Sequence, residues 1–279
     1  VTSASWATFS GGKGLNQSIA AAKAGAMVEH FGCVGSDGDS LIAELGKAGI
    51  SSRFVKVGVA PSGHAVIQVD EDGRNSIVIS AGANRELDSE LIQDAILRLE
   101  DTDWLLLQNE TNGIAEAIEL AAQEGKKVAI NIAPADERMF DYPLSKVALI
   151  IVNELEAMAL SSKSSPQLAF DSLIKAYPEI DIVLTLGEEG VWSYRAKDSA
   201  RRGLASFNID ATDETAAGDS FIGYLMATLV AGRDLHESIT IASAAGALAT
   251  TKAGAVDSIP SLDAVKALAS EQELKTLDL

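Results

Sequence analysis

Cysteine is almost absent from this chain. Cys33 is the only one among 279 residues, so no intrachain disulfide can form, and its place in Phe31-Gly32-Cys33-Val34 is that of a small buried side chain. That usage suits a reducing cytoplasm. Proline is scarce at six residues, and with 47% hydrophobic residues the composition argues for an ordered globular protein. Long apolar runs are missing: none approaches the ~18 residues that span a bilayer. Val147 to Val152 reads instead as a buried strand. The first residues show no charged stretch followed by an apolar one, so no signal peptide is expected. Basic residues are outnumbered, 22 Lys+Arg against 40 Asp+Glu, and the net charge of −18 repels nucleic acid and anionic membrane. The three histidines, His30, His64 and His236, have no metal-ligand spacing and read as structural or exposed.

What is present is an alternation of strand-like and helix-like segments. Helical periodicity over Gly14–Lys23 precedes a strand expected at Met27–Val34 and a helix at Asp39–Lys47 closed by Gly49. Two β-rich runs, His64–Asp70 and Asn75–Ser80, flank Glu71-Asp72-Gly73 as a hairpin whose acidic tip is solvated. Alternation then resumes with strands near 104–108, 127–132, 147–152 and 181–186 between helices near 88–99, 113–124, 154–160 and 166–176. A second β excursion covers 191–207, and helices near 217–231, 235–250 and 261–270 finish the chain. The pattern implies an α/β fold, a mainly parallel sheet with helices on both faces, whose ligands bind at the carboxyl ends of the strands. The antiparallel material at 54–81, with part of 1–10 and Trp6, reads as a flap.

The segment richest in chemistry is Asp213-Glu-Thr-Ala-Ala-Gly-Asp-Ser-Phe-Ile-Gly223. Small residues at a helix start let free backbone N–H groups approach an anion, and the helix dipole favours negative charge there. A carboxylate on the same turn, Asp219, suits a base that takes a proton from a hydroxyl attacking a phosphate. The plain alternative is an acidic helix cap. Gly11-Gly12-Lys13-Gly14 is not a Walker loop, because Gly14 and not Ser or Thr follows the lysine. Asn153-Glu-Leu-Glu156 has capping-box spacing, which needs no metal. Glu110 ends a strand, where a solvated acid is the simpler reading.

Taken in order, five further segments carry a resemblance. They are Gly11-Gly-Lys-Gly-Leu-Asn-Gln17, Ala81-Gly-Ala-Asn84, Leu105-Leu-Leu-Gln-Asn-Glu110, Val152-Asn-Glu-Leu-Glu156 and Thr185-Leu-Gly-Glu-Glu-Gly-Val-Trp192. With Asn131-Ile-Ala-Pro-Ala135, the chain resembles the ribokinase branch of the PfkB-type carbohydrate kinases over essentially its whole length. The resemblance implies a three-layer α/β/α sandwich, one kinase domain over 1–279, and a β lid formed by about 1–10 and 54–81. It also implies a first strand ahead of the double glycine, for which the ten residues before Gly11 leave no room.

The activity implied is ATP-dependent phosphorylation of a sugar, D-ribose to D-ribose 5-phosphate. Another pentose, deoxyribose or a nucleoside is the alternative, and a silent sugar-binding homologue a further one. Asp219 would be the base, with the amides of Ala216, Ala217 and Gly218 as the anion hole. Gly11, Gly12, Lys13, Asn16 and Glu110 would line the sugar pocket. Asn153 and Glu156 would hold Mg2+ through water, and Thr185, Gly187 and Gly218 would bind the nucleotide with the helix near 239–250. Asp213, Thr215, Ala249, Lys252, Gly254 and Ser258 would surround a monovalent cation, K+. The expected partners are sugar, ATP and a second copy joined through the lid, with neither nucleic acid nor membrane. Leu15, Asn109, Glu214 and Ile222 depart from the family pattern and bear on which sugar is taken.

Overall fold

The computed structural model describes residues 7–69, 75–277 and 279. Expectations for Trp6, the start of the lid and the tip at Glu71-Asp72-Gly73 fall outside the described residues. In chain order the strands are β1 (Gly32–Val34), β2 (Val55–Val57), β3 (His64–Val69), β4 (Asn75–Ser80), β5 (Trp104–Gln108), β6 (Lys127–Asn131), β7 (Leu149–Asn153), β8 (Asp181–Thr185), β9 (Val191–Arg195), β10 (Ala200–Leu204) and β11 (Thr276–Leu277). The helices are α1 (Lys13–Lys23), α2 (Asp39–Lys47), α3 (Ser89–Leu97), α4 (Ile114–Gln123), α5 (Glu154–Ser161), α6 (Pro166–Ala176), α7 (Ala217–Val230), α8 (Leu235–Ala249) and α9 (Leu262–Glu271).

The central sheet has seven strands in the order β11-β10-β9-β8-β7-β6-β5. Strands β5 to β8 pair in parallel, and β9 to β11 extend the sheet antiparallel. Parallel strands covered on both faces read as unbroken apolar runs, and β7 shows why. Leu149 and Ile151 pack against Phe221 and Ile239 of α7 and α8, while Ile150 and Val152 face the α3–α6 side with Ile118 and Phe170. Period-two alternation along one strand therefore feeds two cores, which gives the three layers.

Two expectations change in detail. The strand expected at Met27–Val34 narrows to Gly32–Val34, with a single bridge at Glu29 to Ser51. Its sequence-adjacent stretch finds too little partner, and Met27 is fully exposed. Val55–Val57, expected within the lid, pairs in parallel with β1 across the α2 crossover. Among the described residues the lid is thus the antiparallel β3–β4 pair, and 7–10 carry no strand.

Among the described residues the sheet is in two pieces. The β1–β2 pair is separate from the seven-stranded sheet, whose last strand on that side is β5. A mainly apolar cavity of about 990 Å3, bordered by Cys33 and Leu41 on one side and Leu106 and Leu107 on the other, lies between them. Every residue of β5 is consequently only half-buried, although four of β6 are fully covered.

Candidate active site

Strand register sets the floor of the site. Gln108 of β5 pairs with Asn131 of β6, Asn131 with Ile151 of β7, and Asn153 with Thr185 of β8. These are the carboxyl ends of neighbouring parallel strands, where such sheets bind ligands. A cavity of about 200 Å3 sits over them, lined among others by Lys13, Asn153, Glu156, Thr185, Gly218 and Asp219.

Helix α7 delivers Asp219. Its N-cap, Ala216, is left-handed at φ 60°, a region disfavoured for residues with a Cβ, and the helix follows at once. Asp219 is the third helical residue and only 9% exposed. Its carboxylate accepts two hydrogen bonds from α1, from Asn16 Nδ2 at 2.8 Å and Gln17 Nε2 at 2.9 Å. Close helix approach makes this possible. A Cβ on Gly223 would meet Ala21 N and Gln17 O at 2.7 Å, so only glycine lets α7 lie this near α1.

The expected three-amide anion hole is reduced to two. The Ala217 amide donates to Glu214 O at 3.1 Å, a turn bond made by the left-handed residue before it. Among the described residues the Ala216 and Gly218 amides have no protein acceptor, and both residues line the small cavity.

Lys13 and Asn16 gather around Asp219, whereas Gly11, Gly12 and Glu110 border the larger cavity beside it. Gly12 has φ 105°, a conformation that turns the chain into α1 and that an L side chain rarely adopts. The Lys13 amide reaches Glu110 Oε2 at 3.4 Å and joins the two halves. Burial raises the Glu110 pKa, opposed by Lys13.

Asn153 and Glu156 form a reciprocal capping box: Asn153 N–H donates to Glu156 Oε2 at 2.9 Å and Glu156 N–H to Asn153 Oδ1 at 2.8 Å. Burial pushes the Glu156 carboxyl up to about 7. Its other oxygen makes no protein hydrogen bond among the described residues, and Glu156 lines the cavity beside Thr185. Gly187 follows β8 with φ 54° and open space on its Cβ side. No cluster of three or more His, Cys, Asp or Glu that could hold a metal exists among the described residues. A hard cation with one or two protein oxygens, completed by water and phosphate, needs no such cage, so the Asn153–Glu156 oxygens fit Mg2+.

Of the six residues expected around a monovalent cation, Asp213, Thr215, Gly254 and Ser258 are joined by hydrogen bonds. Asp213 Oδ1 accepts from Thr215 N and Oγ1, and Oδ2 accepts from Gly254 N. These bonds, led by the Thr215 hydroxyl, hold the Asp213 carboxyl below the usual range. Ser258 Oγ donates to Thr215 O, and Lys252 N to Ala249 O. The result is an oxygen-rich seam stitching the α7 approach to the end of α8.

The departures separate by place. Leu15 is core, while Glu214 and Ile222 line the small cavity. Asn109 is fully buried, donating to Pro134 O and accepting from Tyr142 OH. Gln17, Gln108 and Asn131 form a hydrogen-bonded chain that reaches Asp219, contacts that residue-by-residue reading of the sequence passed over. A polar residue ending an apolar strand, as Gln108 and Asn131 do, was the available signal. None of the three histidines lines the small cavity, and Trp104 and Trp192 pack on the cores from β5 and β9.

Comparison with known proteins agrees with this geometry. The pfkB family carbohydrate kinase model matches residues 2–262. The chain is 35% identical to the ribokinase of Haemophilus influenzae over 261 residues, 90% of this chain and 84% of that protein. It is 32% identical to the deoxyribokinase of Salmonella typhi over 265 residues, 91% of this chain and 85% of that protein. The solved ribokinase of Cryptococcus neoformans in complex with ADP superposes with a TM-score of 0.82 at 29% identity, over 96% of this chain and 91% of that one.

Proposed function

This chain belongs to the pfkB family of carbohydrate kinases, and from that premise we propose that it transfers the γ-phosphate of ATP to the 5-hydroxyl of D-ribose, giving D-ribose 5-phosphate. The observation that carries this reading is the joining of one buried carboxylate, Asp219, to two unengaged amides, Ala216 and Gly218, in one small cavity. In-line transfer needs little covalent help from protein groups, so positioning and charge stabilisation dominate.

Asn16 and the Lys13–Glu110 pair hold the sugar hydroxyls. Asp219 takes the proton of the 5-hydroxyl as its oxygen bonds to the γ-phosphorus and the bond to the β,γ-bridging oxygen breaks, releasing ADP. The Ala216 and Gly218 amides, at the positive end of α7, meet the charge on the transferring phosphoryl group. Thr185 and Gly187 border the nucleotide phosphates, with α8 behind them. Glu156 and Asn153 would hold Mg2+ through water, and an ion bound there would supply charge neutralisation to the phosphates. The Asp213–Thr215–Gly254–Ser258 seam would hold a monovalent cation, K+, which would stiffen the loop ahead of the anion hole.

The lid closes over the sugar and excludes water. Ile67 and Ile79, exposed at 56% and 59%, share one face of the hairpin, and Val78, at 64%, lies on the other. Apolar groups on both faces support one face over the sugar and one against the lid of a second copy, a homodimer. No helix among the described residues is long and apolar enough to cross a membrane. One buried cysteine suits a reducing cytoplasm as the place of reaction.

A coupled ADP-release assay over D-ribose, deoxyribose, fructose and adenosine, with and without K+, tests the reading. D-ribose is expected to give the highest kcat/KM. Deoxyribose is the competitor favoured by the 32% identity to a deoxyribokinase. Asp219→Asn is expected to lower kcat by roughly 10²–10⁴-fold, as loss of a positioned base does. Ribose binding without turnover in the unaltered chain would establish a silent sugar-binding protein.

A further inference from the structure

Asp219 is also held by a residue with no solvent exposure, Gln17. Gln17 is fully buried, and every polar atom of its side chain is engaged inside the protein. Nε2 donates to Asp219 Oδ1 at 2.9 Å and to Asn131 Oδ1 at 3.3 Å, and Oε1 accepts from Gln108 Nε2 at 2.8 Å. Asn131 Nδ2 in turn donates to Ile151 O at 3.3 Å. A chain of carboxamides thus runs from β5 through α1 to β6 and β7, and its one branch ends on the carboxylate.

Asn16, the other donor to Asp219, is built differently. Its Oδ1 is buried without a partner among the described residues, so half of its amide is uncommitted. Asn16 can exchange its bond for a sugar hydroxyl, whereas Gln17 has nothing left to offer.

We infer that Gln17 is a positioning residue for Asp219, fixing the rotation of the carboxylate about its terminal torsion while Asn16 turns to the sugar. Terminal carboxylate torsions are broad, so a base without such a donor samples several orientations. A catalytic group misplaced by about 1 Å can lose about 10²-fold in rate. Gln17 is anchored on side chains of β5 and β6 and, through Asn131, on the backbone of β7. The inference rests on Asp219 being the base of the proposed reaction.

Its test is a double-mutant cycle between Gln17→Leu and Asp219→Glu, read as kcat and KM for D-ribose and ATP, with Asp219→Asn as control. Gln17→Leu is expected to lower kcat about 30- to 100-fold while both KM values stay within about twofold. In the Asp219→Glu background, where the carboxylate has left the Gln17 donor, the same change is expected to cost under about threefold. Equal losses in both backgrounds, or a rise in KM with kcat intact, would show that Gln17 merely packs α1 and would overturn the inference. If Asp219→Asn keeps full turnover, the base assignment falls and takes this inference with it. An additive cycle beside an inactive Asp219→Asn removes the inference alone. Should Gln17→Leu fail to fold, Gln108→Met strips the acceptor's anchor and leaves Gln17 in place. That variant is expected to lower kcat about 3- to 10-fold at unchanged KM, and an unchanged kcat in it overturns the relay.

Discussion

Asn16 Nδ2 and Asp219 Oδ2 meet at 2.8 Å across 203 residues of chain. The contact ties the start of α1 to the start of α7, and it exists because Gly223 lets the two helices press together. In the proposed reaction, whatever moves one end of that bond moves the reacting hydroxyl relative to its base.

Asn16→Ala tests the sugar side of that bond. Hydrogen bonds to charged groups contribute about 1.5–3 kcal/mol, and the unpaired Oδ1 adds a second loss once sugar is bound. The KM for D-ribose is expected to rise about 10- to 100-fold, with the KM for ATP unchanged. Steady-state kinetics in both substrates decides it; an unaltered ribose KM would take Asn16 out of the sugar pocket.

Gly218→Ala separates stability from activity. Nothing lies within 4 Å of a Cβ at Gly218, and the residue is helical, so alanine stabilises α7 by about 0.5–1 kcal/mol. Gly218 also lines the small cavity, so in the proposed reaction the added methyl group is expected to crowd the phosphoryl group. Thermal melting is expected to rise slightly while kcat falls at least tenfold. A variant both more stable and fully active would place phosphoryl transfer elsewhere.

Much of this was legible in the sequence, because local signals were strong there. Strand β5, helix α2 and helix α6 occupy the residues that alternation and capping indicate, and Asn153–Glu156 forms the box its spacing announced. Positions carried by resemblance, such as Lys13, Thr185 and Asp219, come together at one small cavity. What stayed hidden depends on distant partners. The Gln17 contacts reach 91 and 114 residues along the chain, beyond any local pattern. The Ala217 amide is consumed by a turn that requires a left-handed Ala216, and alanine does not signal that conformation. Met27 to Phe31 has strand composition but only one isolated bridge to pair with.

The pH dependence of stability carries the mark of Glu156. Its folded pKa of about 7 lies above the ordinary 4.5, so the folded state binds the proton more tightly than the unfolded state between those values. Stabilisation from this group is therefore complete below about pH 4.5 and lost as pH rises through about 7. Glu156→Gln removes the titration, so melting temperature is expected to fall less from pH 5 to pH 7.5 in the variant than in the unaltered chain. Parallel curves would show that Glu156 is solvated in solution. In the proposed reading Mg2+ would compete with the proton for this carboxylate, so in the unaltered chain its stabilising effect should grow over this interval.

The divided sheet makes the last prediction, because Leu107 of β5 and Ile130 of β6 are direct register partners on the same face. Ile130 is wholly buried, and its change to alanine is expected to cost about 2–5 kcal/mol in denaturant unfolding. Leu107 borders the cavity of about 990 Å3 and is already half-solvated, so Leu107→Ala is expected to cost about half as much. Equal costs would mean that the space between β1 and β5 is filled in solution. The two unfolding curves therefore measure, without any assay of activity, whether the central sheet is continuous.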